Sequence, residues 1–161
     1  MDHLAVQTPI PQDAWRVVGT VLGSYRENRR EVEVTWEELV QVFEHWGYTA
    51  RPATGATFKF KPRPGTRWPF PSESPRKEFS FHRPHGRVIP KKYYPTYRSI
   101  LQRTLGWDAN TFKVESEEEE IQRRLVEERM RREEEERNRR EAQEKQEKGK
   151  KRGRVGRRNR H

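Results

Sequence analysis

Residues 115–148 constrain this chain more than any other stretch, because they set a carboxylate four residues ahead of a base again and again. Glu119/Arg123, Glu120/Arg124, Glu127/Arg131, Glu128/Arg132, Glu133/Arg137, Glu135/Arg139, Glu136/Arg140, Glu141/Lys145 and Glu144/Lys148 all stand in the favoured i, i+4 order. Each such pair contributes roughly 0.2–0.5 kcal/mol to an isolated helix. The large apolar residues here are Ile121, Leu125, Val126 and Met130, too few and too clustered for a coiled-coil seam. The stretch predicts a long, solvent-exposed charged helix that takes no part in a globular core. Beyond Gly149 the run KKRGRVGRRNRH is rich in Gly and Arg and predicts a disordered basic tail.

Composition agrees with that division. Hydrophobic residues make up 30% of the chain and charged residues 37%, which is too polar for one packed globule of 161 residues. Cysteine is absent, which excludes a disulfide framework and thiolate metal sites. No apolar run approaches the roughly 20 residues that span a bilayer. The start, MDHLAVQTPIPQDAW, has no basic stretch followed by an apolar one, so no secretory leader is expected. The expectation is an intracellular protein without membrane association.

The formal net charge of +10 is unevenly spread. Residues 51–103 hold 13 basic side chains against only Glu73 and Glu78, and residues 148–161 hold 8 basic side chains and no acid. The segments 1–50 and 115–147 are net acidic. Two basic blocks of this kind are the electrostatic footprint of a polyanion binder, which gains from counterion release.

Hydrophobic periodicity supplies the elements of a core. Residues 1–34 read as an N-terminal arm with a helix from Asp13, weakened by Gly19 and Gly23. Thr35-Trp36-Glu37-Glu38 has the form of a capping box, and Trp36, Leu39, Val40 and Phe43 follow on one face, predicting a helix over 35–46. Gly47 ends it. Residues 48–51 form a short strand broken by Pro52, and 57–61 and 78–82 alternate as strands do. Phe58, Phe60, Phe79 and Phe81 share one side of the strands, and Thr57, Lys59, Lys61, Ser80 and His82 share the other. Tyr97, Ile100, Leu101 and Leu105 place a second helix over 93–105, closed by Gly106, with Trp107 and Phe112 free to join the core.

The order helix, strand, strand, strand, helix predicts an α+β domain over 35–114. It would hold a small antiparallel three-stranded sheet with helices on one face, since two helices cover only one side of such a sheet. The basic face then stays wet. The charged helix over 115–148 and the tail over 149–161 complete the organisation.

The segments TWEELVQVFEHWGYTAR, Gly55-Ala56-Thr57-Phe58-Lys59-Phe60, FHRPHGRVIP and YRSILQRTLGW resemble the HicA-type toxin domain, most closely its eukaryotic and fungal variants. The resemblance covers about residues 35–112. It implies a fold similar to the double-stranded-RNA-binding domain, and a family of small ribonucleases that cleave messenger RNA and are held by an antitoxin. The family's catalytic histidine belongs to a Gly-Ser-His slot, which here reads Gly55-Ala56-Thr57. A threonine hydroxyl cannot act as a general base near neutral pH, so the family's chemistry does not carry over to Thr57.

The leading expectation is therefore an RNA- or nucleic-acid-binding module that lacks the catalytic histidine. Phosphate contacts are expected from Lys59, Lys61, Arg63, Arg67, Arg83, Arg87, Lys91 and Lys92 in the domain. Lys150, Lys151, Arg152, Arg154, Arg157 and Arg158 would add contacts from the tail, a kind of run that also serves as a nuclear or nucleolar address. Trp68, Tyr93 and Tyr94 are candidates for stacking on bases. The alternative is an active ribonuclease using His82 and His85 as acid and base, with Lys59 or Arg83 steadying the phosphate. A third reading is a protein-interaction scaffold that offers the Pro-rich loop 62–75 to a groove. No cofactor is implied. His82 and His85 have no third ligand nearby, so no metal is expected.

Overall fold

The computed structural model describes residues 6–25, 32–65 and 77–155, with side chains described as far as Lys150. The chain divides into two units, Met1–Ser116 and Glu117–His161.

The first unit is α+β. Its elements are β1 (Thr8–Ile10), α1 (Gln12–Leu22), α2 (Trp36–His45), β2 (Tyr48–Pro52), β3 (Thr57–Pro62), β4 (Phe79–His82), α3 (Tyr94–Leu105) and β5 (Phe112–Val114). A single 3-10 turn, Lys91–Tyr93, leads into α3. The principal sheet is three-stranded and antiparallel, in the order β2-β3-β4.

Local chemistry fixes α2 as the sequence predicts. The Thr35 hydroxyl accepts the Glu38 amide at 3.2 Å, and the Glu38 carboxylate accepts the Thr35 amide at 2.9 Å. Two of the amides that a helix start leaves unpaired are thereby satisfied reciprocally. Trp36, Leu39 and Phe43 are buried beneath the helix. At its end Gly47 takes a φ of 88°, a left-handed conformation that sends the chain directly into β2.

The sheet presents its phenylalanines to α2 and α3. Phe58 pairs with Phe81 and Phe60 with Phe79 across β3 and β4, so all four lie on one side of the pleat. Phe43 of α2 meets Phe60, Phe79 and Phe81 edge-on, with ring centroids 5.4, 5.0 and 6.3 Å away. Phe81 stacks on Tyr97 of α3 at 4.2 Å. Trp107 lies parallel to Phe43, with ring centroids 5.8 Å apart. Phe43 is fully buried, and fully burying a side chain of this size contributes about 1.5–3 kcal/mol.

The N-terminal segment departs from expectation. The described residues of the expected arm over 1–34 belong to the core, where Ile10, Val17, Val18, Val21 and Leu22 are buried. The α1 helix contacts both α2 and α3. Arg16 donates to the Glu38 carboxylate at 3.2 Å and to the Glu33 carbonyl at 3.1 Å, while Arg98 of α3 donates to the Val21 carbonyl at 2.6 Å. Gly19, which weakens the helix by propensity, is needed for packing: a Cβ there would stand 2.8 Å from the Tyr25 Cβ. A second, two-stranded sheet also lies outside the sequence expectation. In it β1 pairs in parallel with β5, Thr8 opposite Phe112 and Ile10 opposite Val114.

The second unit holds α4, which runs Glu117–Val155. It starts two residues later than the expected 115 and continues past Gly149, where a tail was expected. Each glycine costs the helix only about 1 kcal/mol. Glu120 pairs with Arg124, Glu128 with Arg132 (2.5 Å), Glu136 with Arg140 and Glu144 with Lys148 (3.8 Å). These eight residues stand at successive steps of four and alternate in sign. Since a step of four overshoots one turn of 3.6 residues, the ladder winds slowly around the helix and leaves no charge-free seam.

Candidate nucleic-acid interface

The pleat that turns four phenylalanines inward turns another set outward. Thr57 stands opposite His82 and Lys59 opposite Ser80, with Lys61 two residues further along β3. Across the other ladder, Arg51 of β2 stands opposite Lys59 and Thr49 opposite Lys61. Arg51, Lys61 and His82 are exposed, and Lys59 is partly so. Sequence alone does not single out Arg51. The alternation of Tyr48 to Pro52 signals the strand, but only its register with β3 brings Arg51 beside Lys59.

The cations differ in how they are held. Lys59 pairs with Glu78 at 3.4 Å, both side chains being substantially exposed. Arg83 reaches Glu37 at 3.7 Å and lies over the Phe58 ring. Arg63 donates to the Glu44 carbonyl at 2.7 Å, so its guanidinium caps the end of α2. Lys91, Lys92 and Arg87 are exposed around the segment that links β4 to α3. That segment is docked on the start of α2: the Trp36 amide donates to the Arg87 carbonyl at 3.1 Å, and the Ile89 amide to the Val34 carbonyl at 2.8 Å. His85 is exposed on the bend between them, next to buried Pro84.

His82 ends β4 and is fixed from beneath. Its carbonyl accepts the Tyr97 hydroxyl at 2.6 Å, and its ring lies parallel to Tyr93, with centroids 6.3 Å apart. Burial pushes the Tyr97 hydroxyl far above the ordinary tyrosine range, with the neighbouring Tyr93 and Tyr94 adding to the effect, so it serves as a constant donor. Tyr94, a stacking candidate by sequence, does not reach the surface. It is buried rather than exposed, at 7% accessibility, and belongs to the core instead of a stacking surface. Burial, helped by the Glu33 charge, raises its hydroxyl as well. Glu38 at the base of α2 feels burial pushing its carboxyl up. The Thr35 amide and the Arg16 guanidinium more than offset this and hold it below the usual glutamate value.

Arg67, Trp68, Arg157, Arg158 and residues 66–75 of the Pro-rich loop lie outside the described residues. Lys150 is exposed near the end of α4, and Lys151, Arg152 and Arg154 fall in its final turns. Among the described residues no group of His, Asp or Glu is arranged to hold a metal ion, and no helix is long and apolar enough to cross a membrane.

Comparison of the chain with protein-family models, with curated proteins and with solved structures finds no match.

Proposed function

We propose that the protein is a nucleic-acid-binding module whose RNA-facing surface is the outer side of the β2-β3-β4 sheet. The observation that carries this reading is the lateral grouping of Arg51, Lys59 and Lys61 on that side, in register and away from the phenylalanine core. Such a row neutralises successive phosphates and contributes affinity through counterion release. Arg87, Lys91 and Lys92 extend the positive rim along one edge. In this proposal the fold is of the double-stranded-RNA-binding type, with α2 and α3 behind the sheet. The α4 helix is a solvated rod that carries a second basic cluster, from Lys148 onward, which acts as an affinity booster or a nuclear address.

By the resemblance to the HicA-type domain, Thr57 falls where that family has its catalytic histidine, which supports binding without cleavage. A ribonuclease reading retains one specific support, since His82 sits directly across the ladder from Thr57 and puts an imidazole beside the vacated slot. The two readings part in one experiment on the full-length protein. A labelled RNA is titrated for binding and incubated for cleavage with wild type, with Lys59→Glu/Lys61→Glu and with His82→Ala. The proposal expects binding by the wild type that falls steeply with salt, weak binding by the charge-reversed variant, and intact RNA throughout. Cleavage by the wild type that is lost in His82→Ala would replace this reading with the ribonuclease. Equal binding by wild type and the charge-reversed variant would remove the sheet as the interface.

A further inference from the structure

We propose that the parallel ring pair of His82 and Tyr93 is a nucleobase-stacking site at the end of the basic sheet face, an inference that rests on the nucleic-acid reading of that face. Three observations lead there. The two rings are parallel within 8° at 6.3 Å, inside the range of offset aromatic pairs, and so present one orientation to an incoming plane. Both are held by their backbones: the Tyr93 amide donates to the Pro90 carbonyl at 2.9 Å, and the His82 carbonyl receives the Tyr97 hydroxyl. Tyr97 is itself clamped by its stack on Phe81, so the platform is tied to the core rather than to a loose loop.

The surroundings suit a nucleotide more than a protein side chain. Tyr93 is partly exposed, and Lys92 holds its ammonium over that ring, 5.8 Å from its centre, so a cation able to meet the phosphate of a base stacked at this edge already stands there. Thr57 stands directly across the ladder from His82, so a hydroxyl lies next to the exposed imidazole and can meet the polar edge of a base. The row from Thr57 through Lys59 to Lys61 then continues away from the platform along one strand, advancing about 6.7 Å for every second residue. Base on the rings and backbone along the lysines is one connected path. The chemistry recognised is an unpaired base, because a base inside a duplex already has both faces covered.

The test uses the full chain with two probes of matched charge, a short single-stranded RNA and an inorganic polyphosphate that carries no bases. Binding is measured for wild type, Tyr93→Ala, Tyr93→Phe and His82→Ala at several salt concentrations, with folding checked by thermal melting. Loss of a stacking ring is expected to weaken RNA binding by roughly 5- to 100-fold while polyphosphate binding changes by less than about twofold. The dependence on salt stays the same, since no phosphate contact is removed. Tyr93→Phe keeps the ring and stays close to wild type. If both probes weaken equally in Tyr93→Ala and His82→Ala, or if RNA binding is unchanged, the stacking site is wrong while the basic face stands. If the wild type binds neither probe, the underlying reading falls as well.

Discussion

Replacing Arg51, Lys59 and Lys61 together by alanine tests the sheet face through a quantity that folding defects do not mimic, the slope of log affinity against log salt. Each phosphate neutralised on a single strand contributes about 0.7 to that slope, so losing three contacts lowers it by about 2. Raising salt from about 50 to about 200 mM should then weaken the wild type roughly 16-fold more than the variant. The Lys59–Glu78 pair at 3.4 Å does not remove Lys59 from the count, because both side chains are exposed and such pairs contribute only about 0–1 kcal/mol. A phosphate displaces Glu78 at little cost. It follows that Glu78→Gln acts in the opposite direction and strengthens binding several-fold at low salt. Fluorescence anisotropy with a labelled single strand measures both. A slope that is unchanged in the triple variant, but collapses when Lys148, Lys150 and Lys151 are replaced by alanine, would locate binding on α4 and refute the reasoning.

Other consequences are open to measurement. Phe43→Ala removes the ring at the centre of the core, fully buried against Phe60, Phe79, Phe81 and Trp107, and should cost about 3–5 kcal/mol in chemical denaturation. Glu38→Gln keeps the capping geometry but removes the charge facing Arg16. Because the folded Glu38 carboxyl titrates below its unfolded value, its contribution is present above the usual glutamate range and is lost as pH falls through the lowered value. The stability gap between wild type and Glu38→Gln should therefore shrink on acidification, and a gap that widened would reverse the sign assigned here. Gly149→Ala should slow amide exchange around residues 145–155, since a Cβ there meets nothing within 4 Å and alanine favours the helix by about 1 kcal/mol. High salt should lower the far-ultraviolet helical signal of the whole chain, because the α4 ladder is built from exposed pairs of roughly 0.2–0.5 kcal/mol each.

Elements stabilised by local chemistry were legible from the residues alone. The Thr35–Glu38 box and the 3.6-residue spacing of Trp36, Leu39 and Phe43 locate α2 to within a residue, and the Phe-x-Phe alternations locate β3 and β4. What distant segments decide was not legible. β1 and β5 are three residues each, too short for any periodicity, and their pairing joins opposite ends of the unit. Gly19 reads as a helix weakness until Tyr25 is seen lying against it. Lys59 and Lys61 could be assigned to the open face by alternation, whereas Arg51 joined them only through the register of β2 with β3. Tyr93 and Tyr94 are indistinguishable as neighbours in sequence. The 3-10 turn and the start of α3 send one to the His82 edge and the other into the core.

The parallel pairing of β1 with β5 also bears on how the first unit would respond to tension. The chain enters the pair at Thr8 and leaves it at Val114 toward α4, so a pull applied through the two ends acts at opposite ends of the same short ribbon. The strands would have to slide past one another, loading the Thr8–Thr111 and Ile10–Glu115 hydrogen bonds together rather than one after the other. Strands peeled from a common end would yield bond by bond at lower force. A load carried along α4 therefore meets a shear clamp before it reaches the sheet that bears Lys59 and His82.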